Sequence, residues 1–366
     1  MPEILFIPPL LSQSIYIALA LYTLSFGANA LIAQIKIISA LMQIEVYLLS
    51  ATIIALATSF PELATSLIAA SSNHYDLAIA NIAGSNICNT FLLGGLLFVL
   101  SPKTSFEAFF TNPRHHHSIT KDLIFSFIVS FILLALLSLN FLNTLTAAVI
   151  IVFFTCYQLR SCSAAPDMKS IESLTGSNVS SRYLASNKGR TKHLLKSLIK
   201  CAIYSALLFL SGKILVDSAV QLTKLLGFSE RWIGGSIVAL GTSAPEIATT
   251  LSALSLMRKD PSTSSGKEII LGNLTGSNLF NILWILPIAT LSSIFFCYFP
   301  PELSPQVLLD YFCALCASVW LITLFYYSRY LFRSGHKHAF FYTQLSGSTG
   351  FVLYLIYVCS SALYDV

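Results

Sequence analysis

Charge is what this chain has least of. Only 10% of its 366 residues are Asp, Glu, Lys or Arg, where soluble domains carry about one quarter. With 55% hydrophobic residues and a mean hydropathy of +0.75, the composition excludes an ordinary soluble enzyme. No nucleic-acid partner and no obligate protein partner is expected. The chain also lacks HExxH, GxSxG and any histidine placed as a base on its polar motifs, so an intramembrane hydrolase has no catalytic group to use. The eight cysteines are scattered, mostly in or beside apolar runs, where they read as small buried hydrophobes. Cys313 and Cys316 are spaced CxxC without a second pair, too few ligands for a zinc site. The apolar opening, Ile4 to Tyr22, has no basic residue ahead of it and no small-residue cleavage site. It therefore reads as a first membrane helix and not as a removable leader.

What is present is a series of apolar runs of about 20 residues, the length that crosses a bilayer. They lie near 10–35, 45–70, 77–100, 122–140 and 142–160, then near 196–226, 231–257, 268–295, 304–328 and 338–363. This predicts an all-α integral membrane protein with ten transmembrane helices. The units are a first five-helix half (1–160), a basic linker (161–195) and a second five-helix half (196–366).

Positive charge is distributed unevenly. The linker carries Lys169, Arg182, Lys188, Arg190 and Lys192, which the positive-inside rule places in the cytoplasm. Both termini then lie outside. The other connections on the cytoplasmic side hold Lys36, then Lys103, Arg114 and Lys121, then Arg258, Lys259 and Lys267, then Arg329, Arg333 and Lys337. The external ones, around 73–76, 140–143 and 299–304, hold no Lys or Arg. Lys213, Lys224 and Arg231 depart from the pattern. His115, His116 and His117, in a cytoplasmic loop, read as solvated surface. A bacterial inner membrane is the expected location.

Five helices per half make the second half enter the membrane from the opposite side, so homologous halves form an inverted five-plus-five repeat. The halves do repeat. Thr58-Ser59-Phe60-Pro61-Glu62 returns as Thr242-Ser243-Ala244-Pro245-Glu246 at an offset of 184, and Leu31 and Ile32 return as Leu215 and Val216. Asn81 to Asn89 returns as Asn273 to Asn281 at an offset of 192, which places an eight-residue insertion in the loop near 258–267.

Each copy of the first motif sets an acid in an apolar helix. Such an acid costs roughly 2.5–3.5 kcal/mol on insertion scales and marks function by default. Thr58 and Ser59 lie one turn from Glu62 on a shared helix face. Pro61 has no N–H, so the carbonyl of Ala57 loses its helical partner, and Pro245 does the same to Gly241. The second motif adds Asn81, Ser85 and Asn89, with Asn273, Ser277 and Asn281 in the other half, and Gly84 and Gly276 for close helix approach. Carboxylate, hydroxyl, amide and carbonyl oxygens suit a hard cation. Ca2+ takes about 6–8 oxygens, and Na+ uses hydroxyls and carbonyls with less formal charge. No cluster of thiols or imidazoles favours a soft metal.

These four motifs, in this order, resemble the alpha repeats of the sodium/calcium exchanger family, the cation/Ca2+ antiporters. The resemblance covers both halves. It implies alternating access, no resident cofactor, and Ca2+ and Na+ as transported ligands in a lipid bilayer. It further implies that Glu62 and Glu246 bind Ca2+ with Thr58 and Thr242. Sodium sites flank them, formed by the Ala55 carbonyl, Ser59 and Ser85 on one side and the Ala239 carbonyl, Ser243 and Ser277 on the other. Asn89 and Asn281 line the centre. Two positions depart from the family pattern: Ala57 replaces the glycine before Thr-Ser, and Asn281 stands where many members carry Asp. Exchange of Na+ for Ca2+ is the leading expectation. A Ca2+/H+ antiporter on the same scaffold is the alternative, and a non-transporting receptor or scaffold would not need acids repeated at mid-membrane.

Overall fold

The computed structural model describes residues 9–42, 46–71, 75–111, 116–163, 187–225, 239–259, 265–297 and 305–363. The regular structure within them is helical throughout. Helix α1 is Pro9–Met42, α2 covers 46–71 and α3 covers 75–100. A short helix, α4 (Lys103–Thr111), leads to α5 (His116–Ser138) and α6 (Thr144–Ser163). In the second half, α7 is Asn187–Leu225, α8 covers 239–259 and α9 covers 265–297. Pro305–Arg333 (α10) and Ala339–Leu363 (α11) complete the chain.

Ten of these rods stand where the sequence predicts spans. Ala78–Leu100, Ile119–Ser138, Gly266–Phe296 and Pro305–Arg333 are each long and apolar enough to cross a membrane unaided, and the two parts of α2, bent by 43°, make a fifth, broken span. The division predicted between 140 and 142 is a turn. Asn140 takes a positive φ of 53°, and the Asn143 side chain accepts the N–H groups of Leu145 and Thr146 at 3.0 Å each, which caps α6.

Some boundaries differ from the prediction. Helix α1 runs on to Met42 and carries Lys36 within its backbone, because Ile37 to Met42 remain good helix formers. Helix α7 begins at Asn187 and not at 196, since Lys192, Leu194, Leu195 and Lys196 favour the helix despite their polarity. Linker residues 164–186, the start of the seventh predicted span and His115 lie outside the described residues.

Helix α4 was not anticipated. Its Phe106, Phe109 and Phe110 are buried while Lys103, Thr104 and Glu107 face outward, and Lys103 pairs with Glu107 at 3.7 Å. The aromatic spacing of three and four residues is the amphipathic signal that length alone concealed.

Packing follows polarity. Residues 81–91 of α3 and 266–283 of α9 are buried without interruption, so these two helices form the centre. The pair α1 and α7 lies at the periphery, packed lengthwise on each other. Leu11, Tyr16, Tyr22, Leu195, Ile199 and Ile203 on that pair are exposed, as lipid contact requires.

Close approach of α2 and α9 rests on Gly272 and Gly276, a Gly-xxx-Gly pair. A Cβ at Gly276 would collide with the Ala51 carbonyl oxygen and the Ala55 Cβ, and one at Gly272 would lie 2.7 Å from the Tyr47 carbonyl oxygen. We expect Gly276→Ala to lower the melting temperature of the solubilised protein by on the order of 5 °C, from an overpacking cost of about 1–3 kcal/mol. Unchanged melting would show that the two helices are free to part.

Candidate cation site

Both acidic motifs break their helices in the same way. In α2 the chain is α-helical over Ala55–Thr58, leaves helical geometry at Ser59 (φ −84°, ψ 8°) and resumes at Phe60. The equivalent break in α8 falls at Ser243, between Ala239–Thr242 and Ala244–Lys259. The bonds around the two breaks agree closely. Ser59 N–H donates to the Ala55 carbonyl at 3.0 Å and Ser243 N–H to that of Ala239 at 3.1 Å. Leu63 N–H reaches the Ser59 carbonyl at 3.1 Å and Ile247 N–H that of Ser243 at 3.0 Å. Proline at 61 and 245 supplies no donor in between.

The other two helices carry π-helical turns, Cys88–Leu93 in α3 and Asn281–Ile285 in α9, beginning beside Asn89 and at Asn281. Such turns are rare and concentrate at functional sites. These two occur at matching positions of the repeat, and a third, Ser50–Ile54, lies in α2 just before Ala55.

Across the centre, four pairs of contacts are reciprocal between the halves. Ser59 Oγ donates to Glu246 Oε1 and Ser243 Oγ to Glu62 Oε1, both at 3.3 Å. The Thr58 hydroxyl lies 3.1 Å from Asn273 Oδ1 and 3.4 Å from Ser277 Oγ. That of Thr242 lies 3.3 Å from both Asn81 Oδ1 and Ser85 Oγ. Asn89 donates to Asn278 at 3.2 Å, and Asn281 donates to Asn86 at 2.9 Å. With the offsets of 184 and 192, each bond maps onto its counterpart, as contacts do across a two-fold axis.

All twelve residues named above as candidate ligands are buried. The hydroxyl contacts among them, at 3.1–3.4 Å, exceed the ordinary O–H···O range of about 2.5–3.0 Å. These oxygens are neighbours that do not saturate one another. Four acceptors have no partner at all: Glu62 Oε2, Glu246 Oε2, Asn89 Oδ1 and Asn281 Oδ1. The amide nitrogens of Asn89 and Asn281 are spent on Asn278 and Asn86, which leaves the oxygens as the open ends. Buried polar atoms are nearly always bonded, so four such acceptors at symmetric positions call for a cation.

The carbonyls of Ala55 and Ala239 are already engaged. Besides the serine N–H, each accepts from the threonine hydroxyl of its own motif, at 3.3 Å and 3.1 Å. Around the ligands stands a second layer that the sequence reading of the site passed over. Asn86, Asn278, Thr90 and Ser66 hold the central amides in place, through bonds such as Asn278 to Thr90 at 2.9 Å and Asn81 to Ser66 at 3.1 Å. Asn86 and Asn278 stand beside the serines in both copies of Gly-Ser-Asn, a repetition that could have identified them. Cys313 and Cys316 are free. Among the described residues no three of His, Cys, Asp and Glu gather as metal ligands.

Buried acceptors with no positive partner among the described residues, inside a helical membrane protein that breaks its helices at that point, agree with a secondary transporter of cations. The chain belongs to the sodium/calcium exchanger protein family, whose model matches residues 12–162 and 196–363. It is similar to the putative antiporter CaxA of Alkalimonas amylolytica, 28% identical over 283 residues, 77% of this chain and 81% of that one. It is also similar to the sodium/calcium exchanger MaX1 of Methanosarcina acetivorans, 25% identical over 301 residues, 75% of this chain and 81% of the other. The solved structure of the sodium-calcium exchanger NCX_Mj shares the fold, with a TM-score of 0.67 and 20% identity, covering 96% of this chain and 99% of that one.

A divalent ion bound among these oxygens stabilises the fold in proportion to its occupancy. With Na+ absent and Ca2+ at a hundredfold excess over its Kd, the gain is about 2.7 kcal/mol. We expect Ca2+ to raise the melting temperature of the wild type and to leave Glu62→Gln and Glu246→Gln almost unmoved. Equal shifts in all three proteins would place the bound Ca2+ elsewhere.

Proposed function

We propose that this protein exchanges Na+ for Ca2+ across a membrane by alternating access, with both ions competing for Glu62 and Glu246. The observation that carries the reading is the set of four buried, partnerless oxygens, two of them carboxylate, at symmetric positions of the two halves. In this reading Ca2+ is held by Glu62 and Glu246 with oxygen from Thr58 and Thr242. Na+ is held on one side by Ser59, Ser85 and the Ala55 carbonyl, and on the other by Ser243, Ser277 and the Ala239 carbonyl. Asn89 and Asn281 face the centre. For the two carbonyls to serve, Thr58 and Thr242 must turn their hydroxyls away.

Competition yields exchange and not leak through the cost of burying charge. Ca2+ or several Na+ neutralise the carboxylates, and the neutral site lets α1 and α7 slide past the remaining helices. An empty, charged site resists the same movement because bare carboxylates would have to pass an apolar barrier. The peripheral, lengthwise pairing of α1 with α7 supports this division of labour.

The halves 1–160 and 196–366 are taken as an inverted repeat. The reciprocal bonds of the site support that relation, and the absence of basic residues from one set of loops supports a cytoplasmic linker with external termini. Contacts at one end of the molecule agree. Tyr47 and Tyr157 donate to the two oxygens of Asp122 at 2.7 and 2.9 Å, and Lys267 lies over the rings of Phe106 and Phe109. All belong to helix ends that the loop charges place on the cytoplasmic side. The bacterial inner membrane remains the expected location, and one relative is itself named a sodium/calcium exchanger.

Proton coupling on the same scaffold is the competing mechanism, and flux separates the two. In proteoliposomes with pH clamped on both sides, an imposed Na+ gradient should drive Ca2+ uptake, and Glu246→Gln should reduce it at least about a hundredfold, as loss of some 2.7 kcal/mol implies. Uptake that ignores Na+ and follows an imposed pH gradient would overturn the sodium reading. Asn281→Asp adds a third carboxylate, so it should change the voltage dependence of exchange by altering the charge moved per Ca2+. An unchanged voltage dependence would remove position 281 from the ion path.

A further inference from the structure

The repeat is broken at one place beside the candidate site. Cys88 opens the π-helical turn of α3, and Phe280, its counterpart at the offset of 192, directly precedes the turn of α9. Each packs on the last helix of the opposite half. The Phe280 ring meets that of Phe154 on α6 edge-on, with centroids 5.1 Å apart, and the Cys88 thiol is hydrogen-bonded to the Tyr354 hydroxyl on α11. Phe154 and Tyr354 are themselves counterparts. Three residues beyond them, Tyr157 and Tyr357 each hydrogen-bond an aspartate of the preceding helix, Asp122 on α5 and Asp310 on α10, which fixes the register of α6 against α11. One position of the two-fold thus holds a pair of rings, and the other a thiol with a phenol. All four side chains are buried.

The two pairs stand behind the serines of the breaks. Leu63, one turn after Ser59, packs on the core that contains Phe280 and Phe154, and Ile247, one turn after Ser243, packs on the cluster of Cys88 and Tyr354. The Cys88 thiol also reaches the Ser243 hydroxyl. Donors and acceptors follow one direction through these groups. The Ser243 hydroxyl gives its one proton to Glu62 Oε1 at 3.3 Å, so its oxygen is the acceptor for the thiol, and the sulfur is the acceptor for the Tyr354 hydroxyl. The S–H then holds one of the two lone pairs of the Ser243 oxygen. Phe280 and Phe154 have no proton to donate, so their pair leaves both lone pairs of Ser59 open.

We propose that Cys88, backed by Tyr354, is a positioning residue for Ser243, and that it makes the Na+ site on the Ser243 side weaker than the one on the Ser59 side. Na+ coordinates through oxygen lone pairs, so on the Ser243 side it competes with the thiol hydrogen. On the Ser59 side it meets no such competitor. Ca2+ does not feel the difference, because Glu62, Glu246, Thr58 and Thr242 hold it and the serine proton stays on Glu62. The inference rests on the exchange reading and adds to it an order of sodium binding, with the Ser59 side filled first.

Displacement of radioactive Ca2+ by Na+ at equilibrium, on the full-length solubilised protein, tests this. In Cys88→Ala the Na+ concentration that displaces half of the Ca2+ should fall by about two- to threefold, the worth of one weak S–H···O bond. The Ca2+ affinity measured without Na+ should stay at the wild-type value. Cys88→Ser restores a donor, and a stronger one, so its midpoint should return to the wild-type value or rise above it. Tyr354→Phe frees the thiol to turn from Ser243, which should lower the midpoint in the same direction, and it serves as the reading if Cys88→Ala does not fold. A midpoint unmoved in both variants, or one that moves together with the Ca2+ affinity as a loosened core would move it, overturns the role of Cys88. Wild-type protein from which Na+ displaces no Ca2+ overturns the exchange reading and takes the sodium inference with it, so the wild-type curve alone tells the two failures apart.

Discussion

Two carboxylates, Glu62 and Glu246, are buried where the described residues offer them hydroxyls and no positive charge. Removing ionised carboxylates from water costs several kcal/mol each even after relaxation, and each keeps one oxygen without a partner. The surrounding architecture serves this requirement. Proline and the turns at Ser59 and Ser243 open the helices at that level, so oxygens that a regular helix would keep to itself face a common centre. The amides of Asn89 and Asn281 are anchored through their nitrogens, and their oxygens add to the same acceptor set. Among the described residues, no side chain supplies the positive charge that these acceptors would take.

The second constraint is symmetry. A single α2–α3 unit could not make this site, because each glutamate accepts from a serine of the opposite half. The same holds for each threonine and the asparagine it faces. The close packing of α2 on Gly272 and Gly276 of α9 brings the halves within hydrogen-bonding reach. An arrangement of two equivalent halves around one ligand also suggests how the site could open to either side. A small displacement favoured by one half is matched by an equivalent displacement of the other. The halves are not identical, however. Phe60 and Ala244 occupy the same motif position with opposite exposure.

Much of this was legible in the residues. The constant offset of 184 ties the two acids together in the sequence itself, because motif spacing survives when the helices are rearranged in space. Every motif residue named as a candidate ligand is buried at the centre. What was not legible depended on distance between segments. Asn86 and Asn278 lay in plain view in Gly-Ser-Asn, but their role as anchors for Asn281 and Asn89 appears only when α3 meets α9. The short helix α4 was hidden because nine residues leave a weak amphipathic signal against a strongly apolar background. Helix ends at Met42 and Asn187 went astray for a related reason. Hydropathy marks where a helix can sit in lipid, whereas backbone hydrogen bonding continues into any residues that favour it, Lys192 and Lys196 included.

On the proposed mechanism Glu62 and Glu246 form a single site for one divalent ion, and neither half binds it alone. Equilibrium dialysis of radioactive Ca2+ against the solubilised protein, without Na+, measures this directly. One Ca2+ per chain in the wild type is predicted, with binding lost in Glu62→Gln and in Glu246→Gln, and no further loss when the two are combined. Two bound ions per chain, or half the binding retained in each single variant, would contradict it.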